Sequence, residues 1–172
     1  MELQIIVDSN DEIIGYKPRE EITPNDIYRI SALWIADENG RLLFAQRAST
    51  KKRNPDKWTM AVVGTNGKGE TYKSNIIKEA EEELGIKINS EELVELGKIF
   101  FDFPEVKAFE MEYFYRINSS TKIEVDSEEV GEIIWLSVED AKNEFYAKDS
   151  RFVYGMTQAW EECESHIREL VS

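Results

Sequence analysis

Two periodicities take turns along this chain. Over residues 2–17, ELQIIVDSNDEIIGYK, two short apolar runs flank an Asp/Ser/Asn turn, which predicts a β-hairpin. IYRISALWIADENGRLLFAQRA repeats the scheme, and Asn39-Gly40 predicts a type I′ turn between its two strands. WTMAVVG reads as a strand that runs into a polar, glycine-containing turn. From about Thr71 to Leu84 the period becomes helical: Ile76, Ile77, Ala80 and Leu84 fall on one face, and Gly85 stands where a helix would end. LVELGKIFFDF and VKAFEMEYFYRI then alternate as strands about a turn at Pro104, and EIIWL follows as another. SVEDAKNEF opens with the capping pattern of Ser137 and Asp140, and residues 152–170 predict a terminal helix. This order predicts an α+β fold with a mixed, mainly antiparallel sheet, as one domain over residues 1–172 without repeats or long linkers.

Charge narrows the choice of function. The 172 residues carry a formal net charge of −14, which argues against a general binder of nucleic acid or anionic membrane. It also means that a phosphate substrate would need a cation as intermediary. The single cysteine, Cys163, precludes an intrachain disulfide. The first residues, MELQIIVDSNDEIIG, show neither a basic leader nor a long apolar stretch, so a soluble cytoplasmic protein is expected.

The candidate chemistry lies in GTNGKGETYKSNIIKEAEEELGI, residues 64–86. At helical spacing Glu79 and Glu83 stack one turn apart with Glu82 beside them, while Glu81 points elsewhere. Their edge adjoins the apolar face, so they are expected at the rim of the packed body. Carboxylates held there are costly unless a hard cation such as Mg²⁺ or Mn²⁺ answers them. The bland alternative is a solvated glutamate-rich helix face, the commoner fate of a stretch like KEAEEEL taken alone.

The longer spacing resembles the signature of the Nudix hydrolases, G-x5-E-x7-R-E-U-x-E-E-x-G-U with U aliphatic. Gly64, Glu70, Glu79, Glu82, Glu83, Gly85 and Ile86 match it; Ala80 is a weak match and Lys78 replaces the arginine. The resemblance implies an α/β/α sandwich, with Glu79 and Glu83 as principal metal ligands and Glu82 as a further ligand or metal-water contact. Gly64 would allow a tight turn and offer carbonyls to the metal, and Glu70 would orient the loop by pairing with Lys78. Lysine keeps the charge but lacks the planar fork of arginine.

The order of elements outside the signature is similar to the isopentenyl diphosphate isomerase branch of that superfamily. That chemistry uses a cysteine just before the signature glycine and a histidine-dependent metal site. Here Val63, Thr65 and Tyr28 stand at those positions, and the lone His166 is near the C-terminus. Valine cannot exchange a proton, so isomerisation is rejected. Glu110 and Glu112 share a strand face, and the resemblance makes Glu110 a candidate metal ligand and Glu112 a candidate base; the alternative is an exposed strand face of alternating charge. Glu128 and Glu129 are rivals for that role. Arg47, Lys51 and Lys52, with Arg53 beside them, are candidates to grip phosphate or simply a solvated basic loop. Cys163 and His166 are too few for a metal site, and Trp34, Trp58, Trp135 and Trp160 are assigned to the core. The leading expectation is a Mg²⁺- or Mn²⁺-dependent hydrolase of small diphosphates, such as nucleoside diphosphate derivatives. The alternative is a non-catalytic module with the same fold, and a homodimer is compatible with either.

Overall fold

The computed structural model describes residues 1–172. Nine strands form one sheet: β1 (Leu3–Val7), β2 (Ile13–Pro18), β3 (Ile27–Ala36), β4 (Leu42–Arg47), β5 (Trp58–Met60), β6 (Val62–Thr65), β7 (Val94–Phe103), β8 (Val106–Arg116) and β9 (Val130–Leu136). Helices α1 (Tyr72–Leu84), α2 (Val138–Phe145) and α3 (Met156–Val171) complete the chain with one 3-10 turn, Arg19–Glu21. The fold is the α+β sandwich with a mixed sheet: β3 and β8 are parallel, and the other pairs are antiparallel.

Strand β3 organises the rest. One edge pairs with β8 throughout; the other is shared by β1 at Ile27 and Tyr28, β6 from Ile30 to Leu33, and β4 at Ile35 and Ala36. Its residues Ser31–Ala36 are buried without alternation, as expected of a strand covered on both faces. Trp34 joins the core beneath α2 and α3 with Phe44, Phe145 and Trp160. Leu33 and Ile35 join the other core, beneath α1, with Ile76, Ala80 and Leu84. Full burial of an aliphatic side chain of this size stabilises by about 1.5–3 kcal/mol, enough to fix which face α1 turns outward.

Local signals explain the ends of α1. Thr71 accepts from Ser74 N and Ser74 Oγ accepts from Thr71 N, while Gly85 takes the left-handed conformation at φ 67°. The Asn39-Gly40 turn differs from expectation: only Gly40 has positive φ, at 74°, so the turn is not type I′. Asp37 decides it. Its carboxylate accepts from Asn39 N and Arg41 N at 2.9 Å each, and Gly40 N bonds to Asp37 O, which closes a β-turn one residue earlier with the left-handed Gly40 as its last residue.

Candidate active site: a cavity between carboxylates and cations

A cavity of about 830 Å³ opens beside the start of the α1 loop. Gly64 on β6 forms part of its rim. A Cβ there would lie 2.5 Å from Glu79 Cγ and 3.1 Å from Asn75 Oδ1, so only glycine lets α1 lie this close to the strand. The N-terminal hairpin braces the same loop, with Ile5 N donating to Asn66 O at 3.0 Å and Lys68 N to Leu3 O at 2.7 Å.

Glu79 and Glu83 enter the cavity one helical turn apart. Burial, opposed in part by Lys78, raises Glu79 above the ordinary carboxylate range. Burial and the neighbouring charges of Glu79 and Glu129 push Glu83 up to about 8, although Lys51 and Arg47 pull it down. No cation lies within 4 Å of Glu83. Glu82 lines the cavity from its exposed rim, and Glu81 is exposed outside it.

Below these groups Lys78 forms a hub. Its Nζ lies 2.5 Å from Glu70, 3.4 Å from Glu79 and 3.8 Å from Glu2. Burial would raise Glu70, but Lys78 and bonds from Gly67 N and Asn75 outweigh it and lower its pKa. A single ammonium cannot supply the fork of an arginine, and Asn75 makes up part of the difference. Its Nδ2 donates to Glu70 at 2.9 Å and to the Thr65 carbonyl at 3.2 Å, and lies 3.5 Å from Glu79. Sequence reasoning missed Asn75, although its place four residues before Glu79 was a usable signal.

Cations share the lining with these carboxylates. Arg47 lies in the cavity, its Nε donating to Arg53 O at 2.9 Å, and burial lowers its pKa with Arg19 and Arg53 adding to the effect. Lys51 pairs with Glu129 at 2.5 Å and also lines the space. Lys52 is a correction: it is exposed and not part of the lining. Arg19, from the 3-10 turn, lines the cavity and was not anticipated; no local pattern marks it. Of the rival acids, Glu129 faces the cavity and Glu128 does not.

Glu110 and Glu112 stand apart from this arrangement. Glu110 is 6% exposed and reaches the cavity wall. Glu112 is 0% exposed, accepts from Trp34 Nε1 at 2.8 Å and lies outside the lining. That placement corrects the expectation of a base in contact with an attacking water, because interior packing against Trp34 closes the route. Burial raises both carboxyls. Cys163 is buried on the inner face of α3, His166 on the same helix is exposed, and Trp34, Trp58 and Trp160 are core residues. Trp135 is half-buried, with the Arg41 guanidinium 5.8 Å from its ring.

The NUDIX domain model matches residues 27–155. The chain belongs to the Nudix family. It is 30% identical over 154 residues to an uncharacterised Nudix hydrolase of Pseudomonas aeruginosa, PA4841, covering 87% of this chain and 89% of that one. It is 28% identical over 142 residues to the isopentenyl-diphosphate Delta-isomerase of Clavibacter michiganensis, covering 80% and 73%. Among solved structures, DR0079 of Deinococcus radiodurans superposes with a TM-score of 0.80 at 21% identity, over 94% of this chain and 98% of that one. Residues 64–86, the loop after β6 together with α1, lie within the matched region. The hairpin 2–17 and Arg19 precede the matched region, which explains why a family signature points to neither. No helix is long and apolar enough to cross a membrane.

The donor set of this Nudix helix suits a hard divalent cation: two carboxylates, one desolvated and without a counter-ion, beside a glycine cradle that a Cβ would fill. No group of three or more acidic, histidine or cysteine side chains is already gathered as a closed metal cage.

Proposed function

We propose that this Nudix protein is a metal-dependent hydrolase that cleaves a diphosphate linkage in a small molecule. The observation that carries the reading is Glu83, a half-buried carboxylate without an ion-pair partner, which lines one cavity together with Arg47 and Lys51. Glu79 and Glu83, with Glu82 and the Gly64 carbonyl, would hold Mg²⁺ or Mn²⁺. When bound, the ion would neutralise phosphate charge and lower the pKa of an attacking water. Arg47 and Lys51, in the same lining, bind the phosphate oxygens and stabilise charge that develops on the leaving group. Lys78, Glu70 and Asn75 hold Glu79 in place. Glu110 and Glu129, at the wall, are carboxyls outside the helix that can meet a reacting group. Val63 lines the cavity with no exchangeable proton, which favours hydrolysis over isomerisation although isomerases are among the relatives.

The test is product formation followed by phosphorus NMR, as phosphomonoesters, orthophosphate or diphosphate, from a panel of nucleotide sugars, dinucleotides, nucleoside di- and triphosphates and isoprenoid diphosphates, with Mg²⁺ or Mn²⁺. Glu83→Gln and Glu79→Gln should each lower kcat by about a hundredfold or more, as loss of a charge-stabilising group does. Both should keep the thermal unfolding transition of the parent. Full turnover in either variant refutes the assignment.

A further inference from the structure

Outside the cavity, one buried carboxylate gathers contacts from β3, β7 and α1. Asp11 sits in the turn between β1 and β2 with φ 63°, a left-handed conformation that aspartate and asparagine adopt more readily than most side chains. Its Oδ1 accepts from Arg29 Nε on β3 at 2.7 Å. Its Oδ2 accepts from Lys98 Nζ on β7 at 2.6 Å and from the Tyr72 hydroxyl at 2.9 Å. Its backbone carbonyl takes a further bond from Arg29, at 2.6 Å. Burial would raise this carboxyl, but Lys98, Arg29 and Tyr72 outweigh it and hold it below its ordinary value.

Tyr72 is the first residue of α1, and it is held at three points. Its hydroxyl meets Asp11, its ring lies 5.0 Å from the Arg29 guanidinium and 5.5 Å from Lys98 Nζ, and its carbonyl accepts from Ser31 Oγ at 2.9 Å. Arg29 and Ser31 lie two apart on β3 and so share a face, and Ser31 is the ladder partner of Gly64. The strand that anchors the start of α1 is therefore the one that places the glycine cradle. Glu79 follows seven residues along α1, about 10 Å at the helical rise, and Glu83 one turn further. A short helix moves as a rigid element, so a shift at Tyr72 would carry both carboxylates away from the Gly64 carbonyl. A brace for the hairpin alone would need only Arg29 and Lys98, which already neutralise Asp11. The bond to the hydroxyl is what joins the hairpin to the helix. We infer that Asp11 is a positioning residue of the metal site: through Tyr72 it fixes the start of α1, and with it the place of Glu79 and Glu83 relative to the Gly64 carbonyl. The inference rests on the reading that these groups hold the divalent cation, and it gives the N-terminal hairpin, which precedes the matched region, a part in the chemistry.

The experiment titrates Mn²⁺ into the full chain without substrate and follows the free ion by electron paramagnetic resonance, so that it stands whether or not anything is hydrolysed. Tyr72→Phe removes only the hydroxyl that meets Asp11 and should weaken Mn²⁺ about tenfold, the lower end of what an outer support of a metal site is worth. Asp11→Asn keeps a side chain suited to the left-handed turn and should weaken the ion at least as much, with Tyr72→Phe adding less than about twofold in that background. Lys17→Met breaks another ion pair of the hairpin, with Asp26 at 2.8 Å, and should bind Mn²⁺ as the parent does. Equal weakening in Lys17→Met overturns the positioning role, because docking of the hairpin in general would then explain the loss. Parent-like binding in Tyr72→Phe, where Glu83→Gln loses the ion, overturns it as well and leaves the metal site standing. Parent-like binding in Glu83→Gln, or no uptake by the parent, removes the metal reading and the positioning role with it. If Asp11→Asn does not fold, Tyr72→Phe decides alone.

Discussion

Two pairs of carboxylates in this protein share a spacing logic and differ in their surroundings. Glu79 and Glu83 stack on a helix at four residues; Glu110 and Glu112 share a strand face at two. Burial raises all four. The helical pair opens on a cavity that Arg47 and Lys51 also line, so the cost of its charge can be recovered by whatever cation and phosphate enter. In the strand pair Glu110 touches the cavity wall, while Glu112 is closed into the sheet. Glu112 has one oxygen bonded to Trp34 and the other, Oε1, with no hydrogen-bond partner. Spacing brings carboxylates together, and the facing element decides whether they bind or merely brace.

The largest test of that contrast removes the brace. Trp34→Phe keeps an aromatic ring in the core but strands the Glu112 carboxyl, which should cost about 2–3 kcal/mol in urea unfolding. In a Glu112→Leu background the same change should cost clearly less, giving a coupling of about 1–3 kcal/mol. Additive effects within about 0.5 kcal/mol would show that the bond carries no stability. Turnover per folded molecule should be unchanged in Trp34→Phe; a loss would mean that Glu112 serves the chemistry after all.

The second test works at the open pair. In Gly64→Ala the new methyl group would sit 2.5 Å from Glu79 Cγ, so the side chain or the helix must move. A displacement near 1 Å at a reacting centre costs about a hundredfold, so kcat should fall by about 10–100-fold. Overpacking should lower stability by about 1–3 kcal/mol. Unaltered kcat in Gly64→Ala would separate Glu79 from the reaction.

How much of this was legible in the sequence follows the range of the interactions. The helix end at Gly85 and the register of Glu79 and Glu83 were readable because local backbone geometry and one helical turn determine them. The type I′ expectation at Asn39-Gly40 failed within the same short range, because Asp37 offers its carboxylate to two backbone amides and selects another turn. The sealing of Glu112 was out of reach: its donor Trp34 lies 78 residues away, and only the parallel pairing of β3 with β8 brings them together. Arg19 and Gln4 were invisible for the same reason, since each enters the cavity from a segment that the signature does not include.

The smallest expected effect concerns Lys78, where the contrast between the pairs can be read through pH. Glu70 is held below its ordinary value of 4.5, the reverse of Glu79 and Glu83 above it. A carboxyl with a lowered folded pKa contributes stability that is fully present above the unfolded value and lost as pH falls through the folded one. Lys78→Met removes the main cation that holds Glu70 down. The pair is partly open, with side chains 36% and 19% exposed, so solvent screening limits the loss to about 1 kcal/mol at pH 7. The gap between Lys78→Met and the parent in urea unfolding should therefore narrow as pH drops from 5 towards 3, on the order of the titration range of a carboxylate. Lys78→Arg should show no such gap, since its fork can hold Glu70 and Glu79 together. A gap that persists unchanged at pH 3 would assign Lys78 a packing role in place of an electrostatic one.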